Sequence, residues 1–179
     1  MMIRNIQKGF TLVELLIVVI ILAILAAIVV PQFANTTIDA KEASLDTTLS
    51  NIRSVLDLYY QQHNNQYPGA INQTSGAATS TDVDRLAALK AQLTQYTDAT
   101  GITSTTKDGT YRYGPYFKVT DFPANPITSS RDIVFTSLGS LSLTTSDVGA
   151  GWKYDVLSGV LIANDANTDS GGVRTYADH

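Results

Sequence analysis

Residues 8–14 read KGFTLVE, and residues 15–30 continue LLIVVIILAILAAIVV. A carboxylate, Glu14, stands at the lip of an uninterrupted apolar run. As a helix, the span from Phe10 to Val30 measures about 32 Å, close to the ~30 Å of a hydrocarbon core. In lipid only a helix or a closed barrel satisfies its own backbone. The stretch therefore predicts a membrane-spanning helix, despite its β-branched residues. Arg4 and Lys8 precede the run, and the first charge beyond it is acidic, Asp39. That asymmetry favours an N-terminus in the cytoplasm and the remainder outside. A secretory signal has a shorter apolar core, about 7–15 residues, closed by a small-residue cleavage site. This run is longer, and no A-x-A pattern closes it.

Glu14 needs a reason. A carboxylate at the middle of a bilayer costs on the order of 2.5–3.5 kcal/mol, and less near a helix end. One reading is an acidic residue in the first helical turn, favoured by the helix dipole. The other gives it a positive partner from a second chain. A free α-amino group at Phe10, exposed by removal of the leader, would supply one. An unpaired charge among apolar helices is penalised, so such a contact would fix register.

Residues 8–31, KGFTLVELLIVVIILAILAAIVVP, resemble the N-terminal segment of type IV pilins and of the pseudopilins of type II secretion. That resemblance implies that a prepilin peptidase cuts between Gly9 and Phe10 and that Phe10 becomes an N-methylated first residue. It implies that Glu14 contacts the N-terminal amine of an adjacent subunit during filament assembly. Loss of Arg4 and Lys8 would leave 10 basic residues against 16 acidic ones, a formal charge of −6. The implied domains are a leader at 1–9, a transmembrane and assembly helix at 10–31, and a periplasmic or extracellular head at 32–179 that includes the second half of the long helix. The implied partners are copies of the chain in a helical homopolymer, other pilin-like subunits, the peptidase, and an inner-membrane assembly platform with its ATPase. Pro31 also matches the family, where a proline kinks the helix. By itself it deprives the Ala27 carbonyl of a donor, which admits two compatible readings: it ends the membrane helix, and it marks a weak point that bends or melts during packing.

Composition restricts the rest. The 179 residues allow one modest core plus an appendage. No stretch is dense in Lys or Arg, so no nucleic-acid groove and no direct nucleic-acid partner is predicted. The absence of cysteine excludes disulfides and thiolate metal sites. Only His63 and His179 could supply imidazole. His63 lies in the polar QQHNN and is expected on the surface. No nucleophile elbow, P-loop, zinc-protease or dinucleotide motif occurs.

Beyond Pro31, Phe33, Ile38, Leu45, Leu49, Ile52, Leu56 and Tyr59 or Tyr60 form one helical stripe that breaks near NNQYPG. Tyr59 and Tyr60 read as core and rim residues. Residues 69–80 read as a loop, and Ser80 or Thr81 caps a second helix with a stripe of Leu86, Leu89, Leu93 and Tyr96. IVFTSL and SLSLTT alternate around Gly139, and WKYDVL and GVLIAN flank Ser158 and Gly159 as a hairpin. Trp152, Tyr154, Val160 and Ile162 are expected to face the long helix. The fold class is α+β: a long N-terminal membrane-spanning and amphipathic helix packed on a small antiparallel sheet, pilin-like.

In ANDANTDSGG, Asp165, Asn167 and Asp169 alternate, and Ser170 follows. Oxygen ligands at that spacing suit Ca²⁺. Gly171 stands one place late for an EF-hand loop, and Tyr176 replaces its final Glu. The resemblance adds that major pseudopilins hold calcium in a C-terminal loop.

The sequence thus reads as a filament subunit stored in a bacterial inner membrane and assembled into a periplasmic or cell-surface filament. A type II secretion pseudopilin is preferred, because no cysteine pair bounds the tail and the C-terminal loop is acidic. The alternatives are a type IV pilus subunit, serving adhesion, motility or DNA uptake, and a monomeric membrane-tethered ligand-binding module. A secreted enzyme is disfavoured by the missing catalytic constellation.

Overall fold

A computed structural model describes residues 10–118, 121–145 and 149–179, with the backbone alone for 30–35. The chain divides into two compact units, Met1–Ala40 and Lys41–His179. Helix α1, Leu12–Gln62, belongs to both.

In the first unit, α1 runs helical through Pro31. Pro31 therefore does not end the membrane helix, which was one of the two readings of that residue. The stretch Leu12–Val29 is long and apolar enough to cross a membrane, and none of it is buried inside the protein.

In the second unit, the stripe of α1 makes the core. Leu45, Leu49, Ile52, Leu56 and Tyr59 are each at most 1% exposed. Their spacing of three and four residues keeps them on one helix face. Asn64 and Asn65, at φ 52° and 58°, end the helix in the left-handed region that asparagine tolerates. Helix α2, Asp82–Thr94, starts at Thr81, whose hydroxyl oxygen accepts the Asp84 N–H at 3.1 Å. It buries Ala88, Leu89, Gln92 and Leu93. Tyr96 leaves the helical stripe and joins strand β1 instead.

The strands are short. β1 (Tyr96–Thr97) pairs antiparallel with β2 (Thr103–Ser104). β3 (Ile133–Thr136), β4 (Trp152–Asp155) and β5 (Leu161–Ala163) form a second sheet in that order. The β4–β5 hairpin is antiparallel, as its turn residues predict. β3 joins β4 in parallel, so this sheet is mixed. SLSLTT does not form a strand. The backbone N–H groups of Leu138 and Gly139, which a returning hairpin would use for its ladder, donate instead to the Asp155 carboxylate.

The hairpin register corrects one expectation. Trp152 stands opposite Ala163, Lys153 opposite Ile162, and Tyr154 opposite Leu161. Trp152, Tyr154, Leu161 and Ala163 therefore share the face that enters the core, together with Phe135. Ile162 lies on the other face beside Lys153. One residue of misjudged register exchanges the two faces of a strand. In the turn, Gly159 has φ 74°, and a Cβ there would overlap the Tyr67 ring. Only glycine fits.

His63 is also corrected. It is 1% exposed, not on the surface. Its ring stacks on Tyr59 at 3.7 Å. Nδ1 lies 2.8 Å from the Tyr59 carbonyl and Nε2 lies 2.8 Å from the Thr97 hydroxyl. Positions 56, 59 and 63 continue the apolar stripe, so the helix phase carries the imidazole inward and both nitrogens find partners there. Burial pushes its pKa down, against the Tyr59 carbonyl and the Asp98 charge. Tyr59 is core and Tyr60 is partly buried, stacked on Tyr67 at 4.4 Å.

Candidate functional site: the start of the long helix and the C-terminal loop

The start of α1 is built by four residues, TLVE. Thr11 is the cap, because α1 begins at Leu12. Its hydroxyl oxygen accepts the Glu14 N–H at 3.2 Å. Glu14 reaches back: its Oε2 accepts the Thr11 N–H at 2.8 Å and the Thr11 hydroxyl at 2.7 Å. These reciprocal bonds are a capping box, in which a threonine and a glutamate three residues on satisfy each other's backbone donors. The signal was present in the sequence as T-x-x-E before an apolar run. It gives Glu14 a role inside its own chain that the helix-dipole argument alone does not describe.

Around this cap the surface is apolar. Phe10 is 83% exposed, and the large apolar side chains from Leu12 to Val29 lie between 41% and 89% exposed. Such a face is stable only when lipid or other apolar helices cover it. Gly9, the expected cleavage residue, lies outside the described residues. Pro31 contributes a helical backbone position within α1.

The C-terminal loop places Asp165, Asn167, Asp169 and Ser170 on one short segment but points them at different partners. Asp165 Oδ1 accepts the Asn167 N–H at 2.9 Å and its side-chain amide at 2.7 Å. Asp169 Oδ1 accepts the Val173 N–H at 3.0 Å and the Arg174 N–H at 3.4 Å. The Val173 N–H is the main reason the Asp169 carboxyl is held below its ordinary value; burial opposes it. Ser170 turns to α1, where Glu42 Oε1 accepts its N–H at 2.7 Å and Oε2 accepts its hydroxyl at 2.8 Å. The Tyr176 hydroxyl donates to the same Glu42 at 3.0 Å. Among the described residues no three His, Cys, Asp or Glu side chains gather in a metal-holding group. As closed, the four residues expected to take Ca²⁺ do not fit it as a set: an ion needs six to eight oxygens converging on one point, whereas here the Asp165 and Asp169 carboxylates accept protein N–H groups and the Ser170 hydroxyl donates to Glu42. Sequence reasoning missed Glu42, which is 128 residues away from Ser170. Nothing local could have signalled it.

Comparison with known proteins bears on the first of these two places. Residues 4–30 match the family model described as a prokaryotic N-terminal methylation motif. A fimbrial protein of Neisseria meningitidis is 36% identical over 80 residues, 45% of this chain and 46% of that one. The type IV narrow pilus major component PilA5 of Thermus thermophilus is 51% identical over 47 residues, 26% of this chain and 40% of that one. The type II secretion system core protein G of Pseudomonas aeruginosa is 45% identical over 56 residues, 31% of this chain and 39% of that one. No solved structure matches the chain. The chain spans less than half the length of each of these relatives. What the match at 4–30 identifies is a prepilin-type N-terminal segment, the one that type IV pilins and type II secretion pseudopilins have in common.

Proposed function

We propose that the chain is the subunit of a pilin-like filament that polymerises out of a membrane through α1. The observation that carries this reading is the pairing of a fully uncovered apolar helix, Leu12–Val29, with a carboxylate at its start. A plain anchor needs the first and can use the second only as a helix cap, a role that does not require its charge. In the proposed mechanism a peptidase cuts between Gly9 and Phe10, and Phe10 is methylated. The apolar helix then leaves lipid and packs against copies of itself. Glu14 meets the Phe10 amine of a neighbour shifted along the axis, which sets register, since a mismatched neighbour would leave a charge unpaired in an apolar surround. The rest of Lys41–His179 stays outside the membrane as the head.

Within this reading the type II secretion pseudopilin is preferred. The likeness to core protein G and the lack of a cysteine pair near the tail support it. The 80-residue likeness to a fimbrial protein supports the second reading, a type IV pilus subunit. Deleting the chain in its native cells separates the two: loss of exoprotein secretion supports the first, and loss of surface pili the second. Intact-mass measurement and Glu14→Ala test the common core. The expected mature chain begins at a Phe10 carrying one methyl group, and Glu14→Ala remains in the membrane without entering filaments. Filaments of normal yield from Glu14→Ala, or from chains that retain residues 1–9, overturn the proposal. A tethered ligand-binding module would keep working without Glu14.

A further inference from the structure

Three side chains of α1 hold the end of the chain. Glu42 accepts two bonds from Ser170 and one from Tyr176. Asp46 Oδ1 lies 2.7 Å from His179 Nδ1. Arg53 donates to the carbonyls of His179 at 2.9 Å and Leu161 at 3.0 Å. Positions 42, 46 and 53 recur at four and seven residues, so they share one helix face beside Leu45, Leu49 and Ile52. The face is apolar along one edge and polar along the other.

Glu42 differs from its neighbours in what it binds. Asp46 and Arg53 hold the last residue and β5, whereas Glu42 grips the loop at its middle. Within that loop Asp165 and Asp169 fold the segment on itself, through the Asn167, Val173 and Arg174 N–H groups. None of these ties the loop to the helix. Glu42 does so with both oxygens. Its carboxyl is held below its ordinary value, chiefly by the Ser170 hydroxyl, while burial and the Asp169 charge oppose that. A carboxylate that accepts several donors in a fixed geometry forms the stronger class of hydrogen bond.

We infer that Glu42 is the latch of the C-terminal loop: its carboxylate cross-links the loop to α1 in the way an oxygen-coordinated ion would, so that the loop closes without a metal. The latch is made of this chain's own groups, and it needs neither cysteines nor convergent acidic ligands.

Hydrogen exchange read by mass spectrometry on the full chain in detergent tests this. The Ser170 amide reports directly, because its hydrogen is bonded to Glu42. Glu42→Gln is expected to speed exchange across residues 169–176 by about tenfold or more, the scale of losing charge-assisted hydrogen bonds. Tyr176→Phe, which removes one of three donors and little volume, is expected to give a smaller change in the same direction. The unaltered chain is expected to exchange identically in excess calcium and in EGTA. Protection in this loop that requires calcium overturns the inference, as does unchanged exchange in both variants. Should Glu42→Gln fail to fold, Tyr176→Phe and the calcium comparison still decide.

Discussion

Asp155 ends β4 and has no cation beside it among the described ion pairs. It is fully buried, and five donors hold its charge. Oδ2 accepts the Thr136 hydroxyl at 2.8 Å and the Leu138 N–H at 2.9 Å. Oδ1 accepts the N–H groups of Leu157 and Ser158, both at 2.9 Å, and of Gly139 at 3.3 Å. Burial alone would raise its pKa. The Ser158 N–H, the Thr136 hydroxyl and the Leu138 and Leu157 N–H groups outweigh it and bring the pKa from 3.8 to about 2. At 1.36 kcal/mol per pH unit, that depression is worth roughly 2.5 kcal/mol of head stability at neutral pH. Asp155→Asn loses this and turns an amide donor toward backbone donors. An orphaned buried N–H adds about 1–3 kcal/mol. The expected loss is therefore about 3.5–5.5 kcal/mol.

Trp152 makes the assay clean. It is the one tryptophan of the chain, it is fully buried, and its Nε1 donates to the Pro123 carbonyl at 2.9 Å. Urea unfolding of the full chain in detergent, followed by its emission, reads the head alone. The pH dependence has a definite sign. A group whose pKa is depressed on folding stabilises above its unfolded pKa and loses that contribution as pH falls through the folded one. The gap between the unaltered chain and Asp155→Asn should stay constant from pH 7 to 5 and shrink by about 2.5 kcal/mol between about pH 4 and 2. A difference under about 0.5 kcal/mol at pH 7, or a gap that acid leaves unchanged, refutes the reasoning.

One further substitution and one titration follow from the same structure. Gly159→Ala puts a methyl group into the Tyr67 ring at a positive φ, and should cost about 2–4 kcal/mol in the same urea assay; a loss below 1 kcal/mol would show that the turn relaxes freely. His63, buried and held below 6.5, should titrate by NMR below that value in the folded chain. The unfolded chain then takes up the proton first, so stability should fall as pH drops below 6.5; a folded-state pKa at or above 6.5 would contradict the buried neutral imidazole.

What could be read from the sequence follows the range of the forces involved. The apolar run, the stripe from Leu45 to Tyr59 and the Thr81 cap are local and periodic, and the structure has each of them. His63 was local as well. It lay on the stripe's own phase, and its polar neighbours misled the reading. The β4–β5 hairpin was legible from Ser158 and Gly159, but its register was not, because the loop length that sets it depends on Asp155 holding the Leu157 and Ser158 N–H groups. The parallel pairing of β3 and the Glu42 contact join residues far apart in the chain. No spacing rule reports them.

Glu14 can do two jobs, and they make different chemical demands. A capping box needs an acceptor three residues after Thr11, and glutamine serves there as well as glutamate. An intersubunit charge pair needs the negative charge itself. Glu14→Gln therefore keeps the first and removes the second, whereas Thr11→Val keeps the charge and removes the cap. Thr11→Val should expose the amides of residues 12–15 to exchange in detergent, with a loss of about 1 kcal/mol of capping free energy, and should still form filaments at reduced yield. Glu14→Gln should protect those amides as the unaltered chain does and form none. If Glu14→Gln assembles normally while Thr11→Val does not, the carboxylate serves to start the helix and its charge has no partner in the filament. The register would then have to come from the packing of Leu12–Val29 alone.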